Sequence, residues 1–219
     1  MIEIIPSILT DNADELRDLI SRCEGVVDRI SIDIIDGKFA NNKTVDPSIL
    51  EEIETNLKID YQLMVIAPIN WIERCLRGQA DTIIGHVERM EDQDDFVESV
   101  LGEGVYVGLG LDLPTPISQI NSSIFGKLDT VLLMSVPAGF GGQDFDRKVL
   151  DKIERLDEIR SESDFSFKIQ DDGGVSLETV DEAHFFGVDE VSIGRRIFKG
   201  DLKQNLEKFQ HAAHNLKFP

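Results

Sequence analysis

The sequence is short of several residue types, and each shortage excludes something. Among 219 residues there are two cysteines, one tryptophan, two tyrosines and four histidines. Cys23 and Cys75 form no motif, so neither a disulfide framework nor a thiolate metal site is expected. Reduced, buried thiols of a cytoplasmic protein are the simpler reading. Basic residues are scarce too: 22 Lys and Arg stand against 42 Asp and Glu, a formal net charge of −20. Nucleic-acid backbones and anionic membranes need clustered cations, which argues against both as partners. No run approaches the ~20 apolar residues that span a bilayer. The opening MIEIIPSIL lacks the basic start and small-residue cleavage site of a signal peptide. Linkers, low-complexity tracts and local repeats are also missing, so residues 1–219 are expected to form one domain.

What is present is a hydrophobic fraction of 41%, enough for a core, laid out as short apolar runs alternating with helical stretches. The runs Glu3–Pro6, Arg29–Ile34, Ile59–Met64, Thr82–Gly85, Tyr106–Leu109, Thr130–Met134, Phe165–Gln170 and Glu190–Ile193 read as strands. They are continuous rather than alternating, as suits parallel strands covered on both faces. Helices are expected at Ala13–Arg22, Pro47–Glu54, Ile69–Arg77, Asp94–Glu103, Pro116–Ile120, Arg147–Ser161, Leu177–Phe186 and Leu202–Leu216. Asn12 can cap the first, with Glu15 three residues on as in a capping box, and Pro47 suits a first turn. Acidic stretches such as Glu51-Glu52-Ile53-Glu54 are solvated outer faces that keep the protein soluble. Eight strands alternating with eight helices mean an α/β fold. Periodicity alone leaves a closed (β/α)₈ barrel and an open doubly wound sheet both standing. The length suits a compact barrel, a fold that typically runs to about 250 residues and can be as short as roughly 200.

Polar and glycine-rich segments follow the strands on one side, and six of them carry a specific likeness. They are IPSIL at Ile5–Leu9, IDIIDGKF at Ile32–Phe39, LMV at Leu63–Val65, LLMSVPAGFGGQDF at Leu132–Phe145, DGGV at Asp172–Val175 and IGRRIF at Ile193–Phe198. In this order, over nearly the whole chain, they resemble the ribulose-phosphate 3-epimerase family. That resemblance implies a (β/α)₈ TIM barrel binding a small phosphorylated sugar at the carboxyl ends of its strands, in a homo-oligomer. It places an acid/base pair on Asp33, at the end of the second strand, and Asp172, at the end of the seventh. Inverting a carbon beside a ketose carbonyl requires two such groups on opposite faces of a planar enediolate. One must be protonated while the other is ionised, so their titrations are linked. The plainer alternative makes each Asp a loop or helix cap. Asp36, next to Gly37, is the more ordinary turn residue. The resemblance also implies ligand contacts at Ser7, Met64 and His86.

The family pattern breaks at its metal. Family members hold a divalent ion between two aspartates and two histidines, and the histidine positions here are Ser31 and Gln62. Ser31, Asp33, Gln62 and Asp172 form an all-oxygen set, which suits Mg²⁺ or Mn²⁺ rather than Zn²⁺. Three outcomes stay open: a hard cation, metal-free chemistry using Ser31 and Gln62 as hydrogen-bond donors, or lost chemistry with the ligand retained. Further departures are Ile35, Asn41-Asn42, Asp112 and Pro137-Ala138, where the family has Met, Pro-Asn, Asn and Asn-Pro.

The phosphate end looks better kept. Gly141 and Gly142 after the sixth strand, Gly173 and Gly174 after the seventh and Gly194 after the eighth can offer backbone N–H groups to an anion. Arg195 follows, then Arg196, and a guanidinium can add a bidentate contact. At most one of the two is expected to reach a ligand, the other pairing with an acidic neighbour. The leading expectation is an epimerase of a ketose phosphate, D-ribulose 5-phosphate to D-xylulose 5-phosphate. The alternative is a non-catalytic or altered-specificity phosphosugar-binding barrel. A decarboxylase or aldolase-type synthase would carry a lysine on the third strand, where the chain reads Ile59-Asp60-Tyr61-Gln62-Leu63.

Overall fold

A computed structural model describes residues 2–214. Eight parallel strands close into a barrel in chain order: β1 (Glu3–Ile8), β2 (Arg29–Ile35), β3 (Lys58–Met64), β4 (Ala80–His86), β5 (Tyr106–Leu111), β6 (Thr130–Met134), β7 (Lys168–Asp172) and β8 (Glu190–Ile193). β8 pairs with β1, which removes every sheet edge. The closed barrel, rather than the open sheet, is therefore the fold. Around it lie α1 (Ala13–Cys23), α2 (Ile72–Arg77), α3 (Gln93–Gly102), α4 (Lys148–Ser163), α5 (Val180–Phe185) and α6 (Leu202–Ala213). No helix among the described residues is long and apolar enough to cross a membrane.

The helix count corrects the sequence expectation. The Pro47–Glu54 and Pro116–Ile120 stretches are not α-helices. β2 and β3 are joined through a 3₁₀ segment at Pro47–Glu52, and β5 and β6 through two more, Ile117–Gln119 and Ser122–Lys127. In these stretches i→i+3 bonds close tighter turns, as in Ile49 N–H to Asp46 C=O. The strand expected at Phe165–Gln170 begins instead at Lys168. Phe165 and Phe167 pack against Phe125 in an aromatic cluster, after Asp164 has closed α4 in a left-handed conformation. Asn12 does cap α1, accepting from the amides of Asp14 and Glu15. Glu15 does not complete a capping box; its carboxylate takes the Thr10 hydroxyl. The end of the expected Leu202–Leu216 helix lies outside the described residues.

Two apolar clusters divide the labour. The large one fills the layer between barrel and helices, from Leu16, Ile20 and Cys23 of α1 to Val149, Ile153 and Leu156 of α4. A small one, Ile84, Leu132, Met134 and Val136, belongs to β4, β6 and the loop that follows β6. Much of the barrel's remaining buried lining is polar. At the amino end of the strands, Arg29 bonds Asp60 (2.6 Å) and Glu190 (2.7 Å), and Lys168 also pairs with Glu190. Asp60 and Glu190 are fully buried there. At the carboxyl end the same inward positions, two and four residues further along, carry the candidate site.

Candidate active site

Side chains two apart on a strand share a face, so Ser31 and Asp33 on β2 point the same way, as do Asp60 and Gln62 on β3. Register sets Asp33 beside Gln62, Met134 beside Asp172 and His86 beside Gly110. Asp33 and Asp172 thereby reach the floor of one cavity of about 860 Å³ at the carboxyl ends of the strands. That volume lies within the usual range for a small-molecule site. Ser7, Met64, Gly141, Gly142, Gly173, Gly174, Gly194 and Arg195 also line it. Ser31, Gln62 and His86 do not. They are fully buried beneath the floor.

The floor is organised by Gln62. One terminal atom of its amide lies 3.1 Å from Asp33 Oδ1 and 3.0 Å from Asp172 Oδ2, and the other lies 3.1 Å from His86 Nε2. Amide nitrogen and oxygen are assigned from their partners. With nitrogen toward the carboxylates, Gln62 donates to both and accepts from His86. The reverse gives nitrogen to His86 and to the weak acceptor Met134 Sδ, and sets oxygen against oxygen at both carboxylates. One proton shared between the aspartates would relieve only one of those clashes. The donating orientation is the one the site supports. His86 Nδ1 faces Glu88 Oε2 at 3.3 Å, so both ring nitrogens then meet acceptors. Burial opposes the Glu88 charge, but hydrogen bonds from His86, Thr115 and the Asp112 amide, with the His86 charge, hold its carboxyl down at about 2.

Burial drives both cavity carboxyls the other way. Asp33 lies well above the ordinary aspartate range because it is desolvated and faces the Asp172 charge, which the Ser7 hydroxyl (3.1 Å) offsets only in part. Asp172 is raised to about 6 by burial, against the His86 charge and the Gln62 hydrogen bond. A pair so placed holds one proton near neutrality.

The family's metal does not fit these residues. Two imidazole donors are replaced by neutral side chains. The amide that occupies one ligand position presents N–H groups to the carboxylates, and an amide nitrogen has no lone pair to give a cation. The other replacement, Ser31 Oγ, is buried without a hydrogen-bond partner. No group of three or more His, Cys, Asp or Glu among the described residues could hold a metal ion.

At the other end of the cavity, Arg195 and Arg196 both line the wall. Arg196 pairs with Asp144 at 3.3 Å. Arg195 has no carboxylate partner among the described residues and lies over the Gly141-Gly142 turn, where a Cβ on Gly141 would sit 3.7 Å from its Nε. Gly173 and Gly174 have a reason beyond any ligand. A Cβ on Gly174, at φ +67°, would fall 2.4 Å from the Phe145 amide nitrogen, and one on Gly173 would fall 2.6 Å from the Val136 side chain. The β7 loop is thus packed against the β6 loop. Asp112 fixes that loop further, accepting from the Ala138 amide at 2.8 Å, and Asn42 ties in the β2 loop through Gly139 C=O. Asp36 is a turn residue, accepting from the amides of Lys38, Phe39 and Ile66. Sequence reading missed Glu88 and Met134. The signal for Glu88 was a carboxylate two residues after His86 at a strand end; nothing marked Met134.

Comparison with known proteins agrees along the chain. A family model described as "Ribulose-phosphate 3 epimerase family" matches residues 3–198. The chain is similar to ribulose-phosphate 3-epimerases of Bacillus subtilis (36% identical, covering 82% of this chain and 84% of that one) and Treponema pallidum (32%, covering 84% and 85%). The Escherichia coli protein of the same name is 30% identical over 94% of each chain. Among solved structures, phosphoribosyl anthranilate isomerase from Thermococcus kodakaraensis aligns with a TM-score of 0.66 at 15% identity, covering 99% and 100%. A 3-hexulose-6-phosphate synthase aligns at 0.64 and 12%, covering 96% and 98%. These two share the barrel alone.

Proposed function

The chain belongs to the ribulose-phosphate 3-epimerase family, and from that premise we propose that it interconverts D-ribulose 5-phosphate and D-xylulose 5-phosphate with Asp33 and Asp172 as the acid/base pair. The observation that carries this reading is that both buried carboxyls open into one cavity, each raised above the ordinary aspartate range. A general base and a general acid are needed at once, and one shared proton supplies both.

Asp172, as the carboxylate, takes the proton from the carbon beside the ketose carbonyl. The C–H electron pair moves into a carbon–carbon double bond and the carbonyl π pair moves onto oxygen, giving an enediolate. Asp33 delivers its proton to the opposite face of the same carbon, and the carbonyl re-forms with the centre inverted. The pair is left with Asp172 protonated and Asp33 ionised, which is the state the reverse reaction requires. The Ser7 hydroxyl holds Asp33 Oδ2. Arg195 and the turns at Gly141-Gly142, Gly173-Gly174 and Gly194 supply the phosphate end. The substrate's charge is thus met locally, against a chain background of −20.

The test is a coupled assay of ribulose 5-phosphate conversion, with deuterium uptake from D₂O at the epimerised carbon as a second readout. Asp172→Asn and Asp33→Asn are each expected to lower kcat by at least about 100-fold, the scale of losing a positioned acid or base. Wild-type binding of the sugar phosphate without deuterium uptake would favour the non-catalytic barrel instead.

A further inference from the structure

Gln62 occupies a position where the family places a metal ligand, yet it offers its neighbours donors rather than a lone pair. We propose that Gln62 does the metal's organising work: its amide, held by His86, donates one N–H to Asp33 and one to Asp172, so the enzyme orders its acid/base pair without a divalent cation. This rests on the reading of that pair as the catalytic acid and base.

Three observations converge. The amide nitrogen is within hydrogen-bonding distance of both catalytic carboxylates at once, 3.1 and 3.0 Å. Its orientation is set from behind, because the amide oxygen meets His86 Nε2 and His86 is anchored in turn on Glu88. Glu88 is itself fixed by the Asp112 amide at 2.7 Å. The chain Glu88, His86, Gln62 therefore runs from the β4–β5 side of the barrel to the midpoint between the aspartates. Space is matched to it: a Cβ on Gly110 would lie 2.9 Å from the His86 ring, so glycine is what leaves room for the imidazole. Gln62 is fully buried and does not line the cavity, so its part is positioning rather than contact with substrate.

The experiment uses the full-length wild-type protein, desalted and treated with a strong chelator. Its rate with ribulose 5-phosphate is expected to be unchanged within twofold. Titration with Mn²⁺, followed by the loss of the free-ion EPR signal, is expected to show no binding at millimolar metal. Gln62→Leu removes the donors; kcat should fall roughly 10- to 100-fold, the usual effect of losing an orienting partner, with KM changed less than threefold. Gln62→Glu keeps the shape and places a third carboxylate between Asp33 and Asp172. It is expected to gain Mn²⁺ binding that the wild type lacks. Stoichiometric Mn²⁺ binding by the wild type, or activity lost to chelator and restored by Mn²⁺, would overturn the proposal. Absence of epimerisation under every condition would sink the functional reading instead, and the wild-type Mn²⁺ titration would still decide this one. That titration needs no variant to fold.

Discussion

Asp33 is 4% exposed and Asp172 is 8% exposed, and burial is the largest cause of the rise in each carboxyl. For Asp172, raised from an ordinary 3.8 to about 6, the folded state binds its proton more tightly than the unfolded chain does. Its contribution to stability is therefore complete below about 3.8 and is lost as pH rises through about 6. Asp172→Asn should melt higher than wild type at pH 7.5, by roughly 2–3 kcal/mol, and the difference should vanish near pH 3.5. Thermal melts at the two pH values check this, and equal Tm values at pH 7.5 would contradict it. On the proposed mechanism, in which Asp172 is the base, kcat/KM should fall as pH drops below about 6. Arg195 belongs to this scale as well. Arg195→Ala should raise KM about 10-fold or more with kcat within threefold, since a charge-assisted phosphate contact contributes roughly 1.5–3 kcal/mol. A kcat loss with unchanged KM would place Arg195 elsewhere in the mechanism.

Among the elements, the loops after β6 and β7 show how local backbone positions the site. Gly174 has φ +67° and touches the backbone of Asp144 and Phe145, so a side chain there meets both strain and overlap. Gly174→Ala should destabilise by at least about 2 kcal/mol. Gly102, in the last turn of α3 with open space around it, is the control. Gly102→Ala should be neutral or stabilising by up to ~1 kcal/mol. Chemical denaturation of the two variants separates these outcomes, and equal effects would contradict the packing argument. Much at this scale was legible in the chain. Asn12, Pro47 and the apolar runs located most boundaries within a few residues, because capping and β-branched patterning are local physics. The substitution of 3₁₀ turns for two helices was not legible, because Ile49, Leu50 and Ile53 have apolar spacing that serves either geometry. Nor was the late start of β7, since Phe165 and Phe167 read as strand until Phe125 is brought beside them.

In the whole molecule, closure of the barrel brings the ionic floor together. Arg29 of β2 meets Asp60 of β3 and Glu190 of β8, with Glu3 of β1 at 3.5 Å. Burial opposes the charge on Arg29, but these carboxylates outweigh it and hold the guanidinium above its ordinary range. Removing one partner of such a set leaves buried charge uncompensated. Arg29→Ala should cost about 3–5 kcal/mol at neutral pH, with less loss in mild acid as Asp60, raised by burial to about 6, takes up its proton. Denaturant titrations at pH 7.5 and 5 test this, and a pH-independent loss would show that charge is not the cause.

By itself the sequence determined the α/β alternation, the family and the two aspartates, because each is written in short contiguous segments such as IDIIDGKF and DGGV. It also showed that the two histidines were missing. What took their place was decided only by the tertiary structure. Gln62, His86 and Glu88 come from β3, β4 and the turn that follows β4, and no spacing along the chain says which atoms of an amide will face two carboxylates from β2 and β7. That depends on strand register and barrel closure, which set residues from separate strands about one hydrogen bond apart.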